Sequence, residues 1–283
     1  MSPALLAAVT LAFYILAGAC YGAVLFLDVP AAPTLGARKG SLPGIARYGR
    51  IPLLLGILAH VGVIGALCLS THRSPFASEF GTLATTSWVI ALIYAVLDFR
   101  VKMPALGAVS LLAACLTLFW GLVHAHGPVA ETPLLSQRIV SLHVLATVAS
   151  FALFALAGGC AGLYILQNRL LKAHNGKGLF RRLPPLATLD SVAYHAVAFG
   201  LPLLTLGLSL GILYVYRAGV PALAWWADPK TIVSFVVWLL YIVYLSARLV
   251  AGWRGVRLQY ILLVGLVIAP CLYLVPGPTH QFH

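Results

Sequence analysis

Side chains able to bind a metal or move a proton are scarce in this sequence: nine histidines, five cysteines and six acids among 283 residues. The acids, Asp28, Glu79, Asp98, Glu131, Asp190 and Asp228, stand near the ends of apolar runs, not midway along one where a proton or ion relay needs them. Cys20, Cys68, Cys115, Cys160 and Cys271 occur singly in five apolar segments, without the C-x-x-C or C-x-x-C-H spacings that hold zinc or form thioethers to a cofactor. Single thiols in apolar surroundings are ordinary packing residues. A glycine-rich phosphate loop and a serine nucleophile elbow are both absent. Histidine is left, and neutral imidazole is a metal ligand.

Position sorts the histidines. His174 falls in a basic loop and reads as solvated, and His72, His124 and His126 belong to helix ends. His60 and His195 stand at membrane depth, where an ionisable group is a functional hypothesis and an imidazole bonded to a backbone carbonyl is the plain alternative. His143 lies about four residues, roughly 6 Å, inside a predicted helix. His280 and His283 follow a "PGP" break near the end of the chain. One further stretch is unusual: "AWWADPKT", residues 224–231, puts Trp225, Trp226, Asp228, Pro229 and Lys230 between two long apolar runs. Tryptophans there fit an interfacial belt, and Asp-Pro fits a helix start with Asp228 as N-cap and Pro229 at N1. The same residues also form an aromatic platform with a charged edge.

The elements that must position these groups are membrane helices. The chain is 61% hydrophobic and 8% charged, and its apolar runs repeatedly exceed the length that crosses a hydrocarbon core. Punctuation by Pro and Gly predicts an all-α polytopic bundle of eight helices, over 3–27, 51–70, 81–98, 104–125, 139–166, 188–216, 232–251 and 258–275. The first, lacking a basic start and a clear cleavage site, reads as a retained span. No loop is long enough to fold alone, so residues 1–283 read as one integral membrane domain, with a four-helix part over 1–128 and a core over 129–283.

The net charge of +12 does not form a nucleic-acid face. Of the 18 Lys and Arg residues, 14 lie in or beside alternate loops, and the opposite side keeps only Arg73, Arg138, Arg217 and Lys230. By the positive-inside rule both termini then face away from the cytoplasm, and the bilayer is the chain's surrounding partner. His143, His280 and the tryptophan loop all come to that outer surface. Two imidazoles and an aromatic platform suit a planar metal-porphyrin, with Lys230 and Arg138 available to its propionates. Poverty of charge at membrane depth and the lack of an internal repeat argue against a transporter.

At these residues the sequence resembles the heme-handling cytochrome c assembly proteins that carry a tryptophan-rich "WWD" segment, the CcsA and CcmC types with the shorter HemX-like and YpjD-like members. "LDSVAYHAVAFGLPLLTLGLSLGILY", "WWADPKTIVSFVVWLLYIVYLSARL" and "GWRG" follow the order of the family's helix, tryptophan loop, aromatic helix and basic turn. "PLLSQRIVSLHVLATVASFALFALAGG" and "LVPGPTHQFH" resemble the segments that supply its two outer histidines. Coverage is good from about residue 130 onward, with the first four helices alike only in number and hydrophobicity.

The resemblance implies non-covalent heme b held by His143 and His280 as axial ligands, with Trp225, Trp226, Asp228, Pro229 and Lys230 as its docking platform. Trp238, Tyr241 and Tyr244 would line the adjoining helix. It implies a component of cytochrome c maturation in the bacterial inner membrane that presents heme to apocytochrome c or to other assembly proteins, without forming the covalent bond itself. Ser246 stands in "YLSAR" where full synthase subunits carry histidine, which points to the small stand-alone members. Their HemX-like branch implies an alternative: a regulatory or scaffolding protein of tetrapyrrole biosynthesis that acts through the basic loop "QNRLLKAHNGKGLFRRLPP".

Overall fold

The computed structural model describes residues 2–26, 44–72, 74–124, 134–173, 179, 182–219 and 221–271. Among them the chain is helical throughout: α1 (Pro3–Phe26), α2 (Gly44–Thr71), α3 (Glu79–Arg100), α4 (Pro104–His124), α5 (Leu134–Lys172), α6 (Leu186–Arg217), α7 (Ala222–Trp226), α8 (Pro229–Leu249) and α9 (Val256–Ile268), with a 3-10 turn at Pro75–Ala77. Seven of these are long and apolar enough to cross a bilayer. The eighth expected span is represented by α9, which has 13 residues; the end of the 258–275 prediction lies outside the described residues. Two differences from the predicted boundaries bear on function. Helix α5 starts at Leu134, five residues before its expected start, and the tryptophan loop contains a short helix of its own, α7.

Local chemistry fixes several starts. Ser78 caps α3 by accepting from the Gly81 N–H at 3.0 Å, and Ser74 caps the preceding 3-10 turn. Asp228 caps α8, accepting from the Lys230 N–H at 2.8 Å, with Pro229 at N1 where a missing N–H sacrifices no hydrogen bond. The ordinary reading of "ADPK" is therefore correct as far as it goes.

Packing rests on small residues, because lipid offers no hydrophobic drive for helices to associate and close backbone approach must supply dispersion contacts instead. On α2, Gly49 and Gly56 admit α1: a methyl at Gly56 would sit 2.7 Å from the Tyr14 ring. The α5–α6 contact is the clearest case. Gly200, Gly207 and Gly211 on α6 receive Phe154, Thr147 and His143 on α5, and a methyl on any of the three would come within 3.0 Å of its visitor. The glycines are spaced seven and four apart and their visitors run in the reverse order at the same intervals, so two antiparallel helices mesh in one register. A continuous buried cluster runs from Tyr14 on α1 to Leu262 on α9.

Among the described residues, two ion pairs close one end of the bundle. Asp98 at the end of α3 is 1% exposed and accepts from Arg50 Nε at 2.6 Å, Tyr21 Oη at 3.1 Å and Tyr94 Oη at 3.3 Å. Arg50 also donates to the Asp98 carbonyl oxygen at 2.7 Å. Across the bundle Arg248 on α8 grips Asp190 on α6 through both carboxylate oxygens, at 2.9 and 2.7 Å, while Gln259 on α9 donates to the same carboxylate at 2.9 Å.

Removing Asp98 would leave a partly buried guanidinium and two buried hydroxyls without their acceptor. Asp98→Ala is expected to destabilise the bundle by about 2–3 kcal/mol, and Tyr21→Phe, which deletes one hydrogen bond, by about 1 kcal/mol. Unfolding titrations in detergent micelles check the order; equal midpoints for Asp98→Ala and the unmodified protein would contradict it.

Candidate functional site

His143 is the histidine whose surroundings are most specific. It lies nine residues from the start of α5 and five past Arg138, where the apolar span begins. The depth of roughly 6 Å predicted from a start at 139 thus becomes about 13 Å along the helix from its first residue. Its Nδ1 is 2.7 Å from the Gly207 carbonyl oxygen on α6. A carbonyl can only accept, so Nδ1 carries the proton and the ring lone pair is on Nε2. Gly211 makes this contact possible. A side chain one turn along α6 leans back over the preceding carbonyl, and a methyl there would lie 3.0 Å from Nδ1 and Cε1 of the ring. Ser141 Oγ meets Ser74 Oγ at 3.3 Å, which ties this part of α5 to the turn before α3.

The tryptophan loop forms a second group. Trp225 is 9% exposed and packs inward, while Trp226 is 54% exposed. Their centroids are 4.5 Å apart, Trp226 lies 5.3 Å from Phe235, and Phe235 lies 6.3 Å from Trp238. An aromatic run thus extends from α7 along the first turns of α8. Phe235 is the link that reading the sequence missed; its spacing, three residues before Trp238 on one helix, is the signal that would have found it. Trp238 donates its indole N–H to Thr205 Oγ1 on α6 at 2.9 Å. Asp228 is buried at 1% exposure beneath the loop, and Pro229 and Lys230 begin α8 beside it, both half-buried. Arg138 is exposed at the start of the apolar part of α5.

Both groups meet α6. His143 docks at Gly207 and Gly211, and Trp238 docks at Thr205. Residues 205 and 207 are about 200° apart around a helix, so imidazole and indole approach α6 from different sides. The Gly-x-x-x-Gly of 207–211 is a helix-packing signal readable in the sequence, and it marks the seat of His143. His280 and His283 lie outside the described residues, as do His126 and His174.

His60, His124 and His195 have local contacts. His60 is fully buried on α2 and bonded through Nδ1 to Tyr14 Oη at 3.1 Å. His195 is on the exposed side of α6, its Nδ1 2.7 Å from the Ser191 carbonyl oxygen of its own helix. Since α2 packs on α1 and α3 while α6 packs on α5 and α8, these two imidazoles do not face each other across one helix pair. His124 stacks on Trp120 at 3.6 Å. Tyr241 stacks on Phe154 at 3.8 Å inside the bundle, and Tyr244 is fully buried. Among the described residues no group of three or more His, Cys, Asp or Glu side chains is placed to hold a bare metal ion.

Comparison with known proteins finds relatives over most of the chain. The chain is 25% identical over 231 residues to the cytochrome c biogenesis protein CcsA of Guillardia theta, covering 75% of this chain and 76% of the relative. It is 28% identical over 224 residues to Protein HemX of Bacillus subtilis, covering 75% and 77%, and 26% identical over 281 residues to CcsA of Thermosynechococcus vestitus, covering 84% and 86%. The profile described as Cytochrome C assembly protein matches residues 77–277. That match takes in α3 and α4, so likeness to the family begins well before residue 130 and includes helices whose resemblance by eye was only in number and hydrophobicity. A multi-pass helical membrane protein matched over this length belongs to the cytochrome c assembly protein family.

Proposed function

We propose that this protein acts in cytochrome c maturation by holding heme b non-covalently at the end of the bundle where α5 and α8 begin. His143 and His280 are the ligands in this reading, and Trp225, Trp226, Trp238, Asp228, Pro229, Lys230 and Arg138 form the platform; because Trp238 meets α6 on another side from His143, its part is to hold Trp226 in place through Phe235. The observation that carries it is the 2.7 Å contact between His143 Nδ1 and the Gly207 carbonyl. Histidines that bind metals almost always give their second ring N–H to a carbonyl or carboxylate, which fixes the tautomer and the ring plane. His143 has this arrangement, so its donor chemistry fits heme iron.

When bound, heme would supply an iron that imidazole nitrogens can ligate and a porphyrin that a partner could attach to an apocytochrome. The rest of the work belongs to the chain. Gly211 leaves room for the imidazole, Gly207 orients it, and the Trp226 face offers an apolar surface for stacking. Asp228 holds the start of α8, so that the aromatic run keeps its place. Lys230 and Arg138 supply positive charge for carboxylates. The protein positions a cofactor for others, in one membrane domain over 1–283 whose heme-handling core is 129–283. The placement is the bacterial inner membrane, with both termini on the outer side.

The similarity to HemX supports a second reading, regulation of tetrapyrrole biosynthesis through the loop between α5 and α6. Charge substitutions there separate the two, because heme holding depends on the histidines and not on the loop.

The purified protein is expected to show the absorption bands of a six-coordinate b-type heme. His143→Ala and His280→Ala each lower heme content, and a double variant with full occupancy would remove the ligand assignment. Gly211→Ala, which crowds the ring without deleting it, is expected to weaken heme retention roughly tenfold; unchanged dissociation to apomyoglobin would show that the orientation of His143 is irrelevant. Asp228→Asn keeps the cap and the spectrum, whereas Asp228→Ala loses about 1 kcal/mol of stability. A lost heme band in Asp228→Asn would assign the carboxylate to heme instead of to α8.

A further inference from the structure

The turn joining α8 to α9 has a preformed shape. Gly252 and Gly255 adopt φ of 66° and 88°, a region that other residues enter only with strain, and between them the Trp253 N–H bonds to the Ala247 carbonyl at 2.9 Å. Trp253, Arg254, Val256 and Arg257 line an open cleft of about 390 Å³. Trp253 is half exposed, and both arginines are exposed.

The cleft is positive, and among the described residues no acid pairs with its arginines. The ion pairs among the described residues are Arg50–Asp98 and Arg248–Asp190, and neither includes Arg254 or Arg257. The acid at this end of α6, Asp190, already has both oxygens occupied by Arg248 and one also by Gln259. Glu79 and Asp228 begin α3 and α8, at the opposite end of the bundle.

An apolar track leads away from the charge. Arg257, Tyr260, Val264 and Val267 are spaced three, four and three apart, so they share one face of α9. Tyr260, Val264 and Val267 are 48%, 47% and 71% exposed. Two guanidiniums and an indole at the membrane surface, above a strip of exposed apolar side chains, match an amphiphile with an anionic head.

We propose that this cleft is a binding site for the phosphate headgroup of an anionic phospholipid, with Arg254 and Arg257 on the phosphate, Trp253 at the glycerol level and an acyl chain along Tyr260, Val264 and Val267. The track is what favours a lipid over a soluble phosphate, since a free anion gains nothing from it. Positive charge that serves only to set topology needs neither a shaped cleft nor an apolar strip in register with it.

The test uses the full chain in nanodiscs of phosphatidylcholine doped with phosphatidylglycerol, with bound lipid counted by native mass spectrometry after release into detergent. The unmodified protein is expected to retain phosphatidylglycerol preferentially, and Arg254→Gln with Arg257→Gln to lower that preference roughly fivefold for each arginine removed. Arg169→Gln with Lys172→Gln, which removes equal charge at the same end but outside the cleft, should leave it intact. The proposal is overturned if the cleft variant retains phosphatidylglycerol as before, or if the control variant loses as much, which would mean diffuse attraction. Displacement of the lipid by millimolar inorganic phosphate would also overturn it, by showing that the site reads a soluble anion. Unchanged circular dichroism in all variants keeps the comparison free of misfolding.

Discussion

Close approach of α5 to α6 is the constraint on which the rest of the structure depends. Three glycines on one helix face three larger side chains on the other at matching intervals, and a single methyl at any of them would collide with its visitor. In water such a seam would be one contribution among many. In a bilayer, where apolar side chains gain nothing by leaving lipid, the seam is what selects one register over its neighbours. Sliding α5 by four residues would put His143 beside Gly207 with Thr147 facing Leu203, and the imidazole would lose the Gly207 carbonyl. Packing and ligand orientation are thus the same set of contacts.

The aromatic run depends on a different device. Asp228 and Pro229 fix where α8 starts, and from that start Phe235 and Trp238 fall on the side that meets Trp226 and Thr205. The cap explanation and the platform explanation of "AWWADPKT" are therefore compatible. Trp225 and Trp226 also divide their work: one is packed and anchors the short helix, and the other keeps its ring exposed.

Much of this was legible in the sequence, and the failures have physical causes. Hydropathy located seven spans to within a few residues at most ends, because twenty apolar residues in a row admit little else. The start of α5 was missed because "LLSQR" is not continuously apolar, so a polar first turn looked like loop. The short helix α7 was missed since five residues carry no periodicity. His143 was identified by its type and place, but not the backbone carbonyl that orients it, since only folding reveals which glycines oppose which side chains. Asp98 and Asp190 read in the sequence as loop-side acids; nothing there hints that each meets a specific arginine 48 or 58 residues away. His60 and His195, both at membrane depth, proved to be separated by the order in which helices pack.

The two ion pairs differ in when their partners are synthesised. Arg50 precedes Asp98 on the ribosome, so that carboxylate emerges with its cation already waiting on the adjacent hairpin. Asp190 emerges first and has no guanidinium until α8 follows. An uncompensated anion beside hydrocarbon is costly. The first clasp has both partners as soon as α3 has been made, and the second lacks its cation until Arg248 has been.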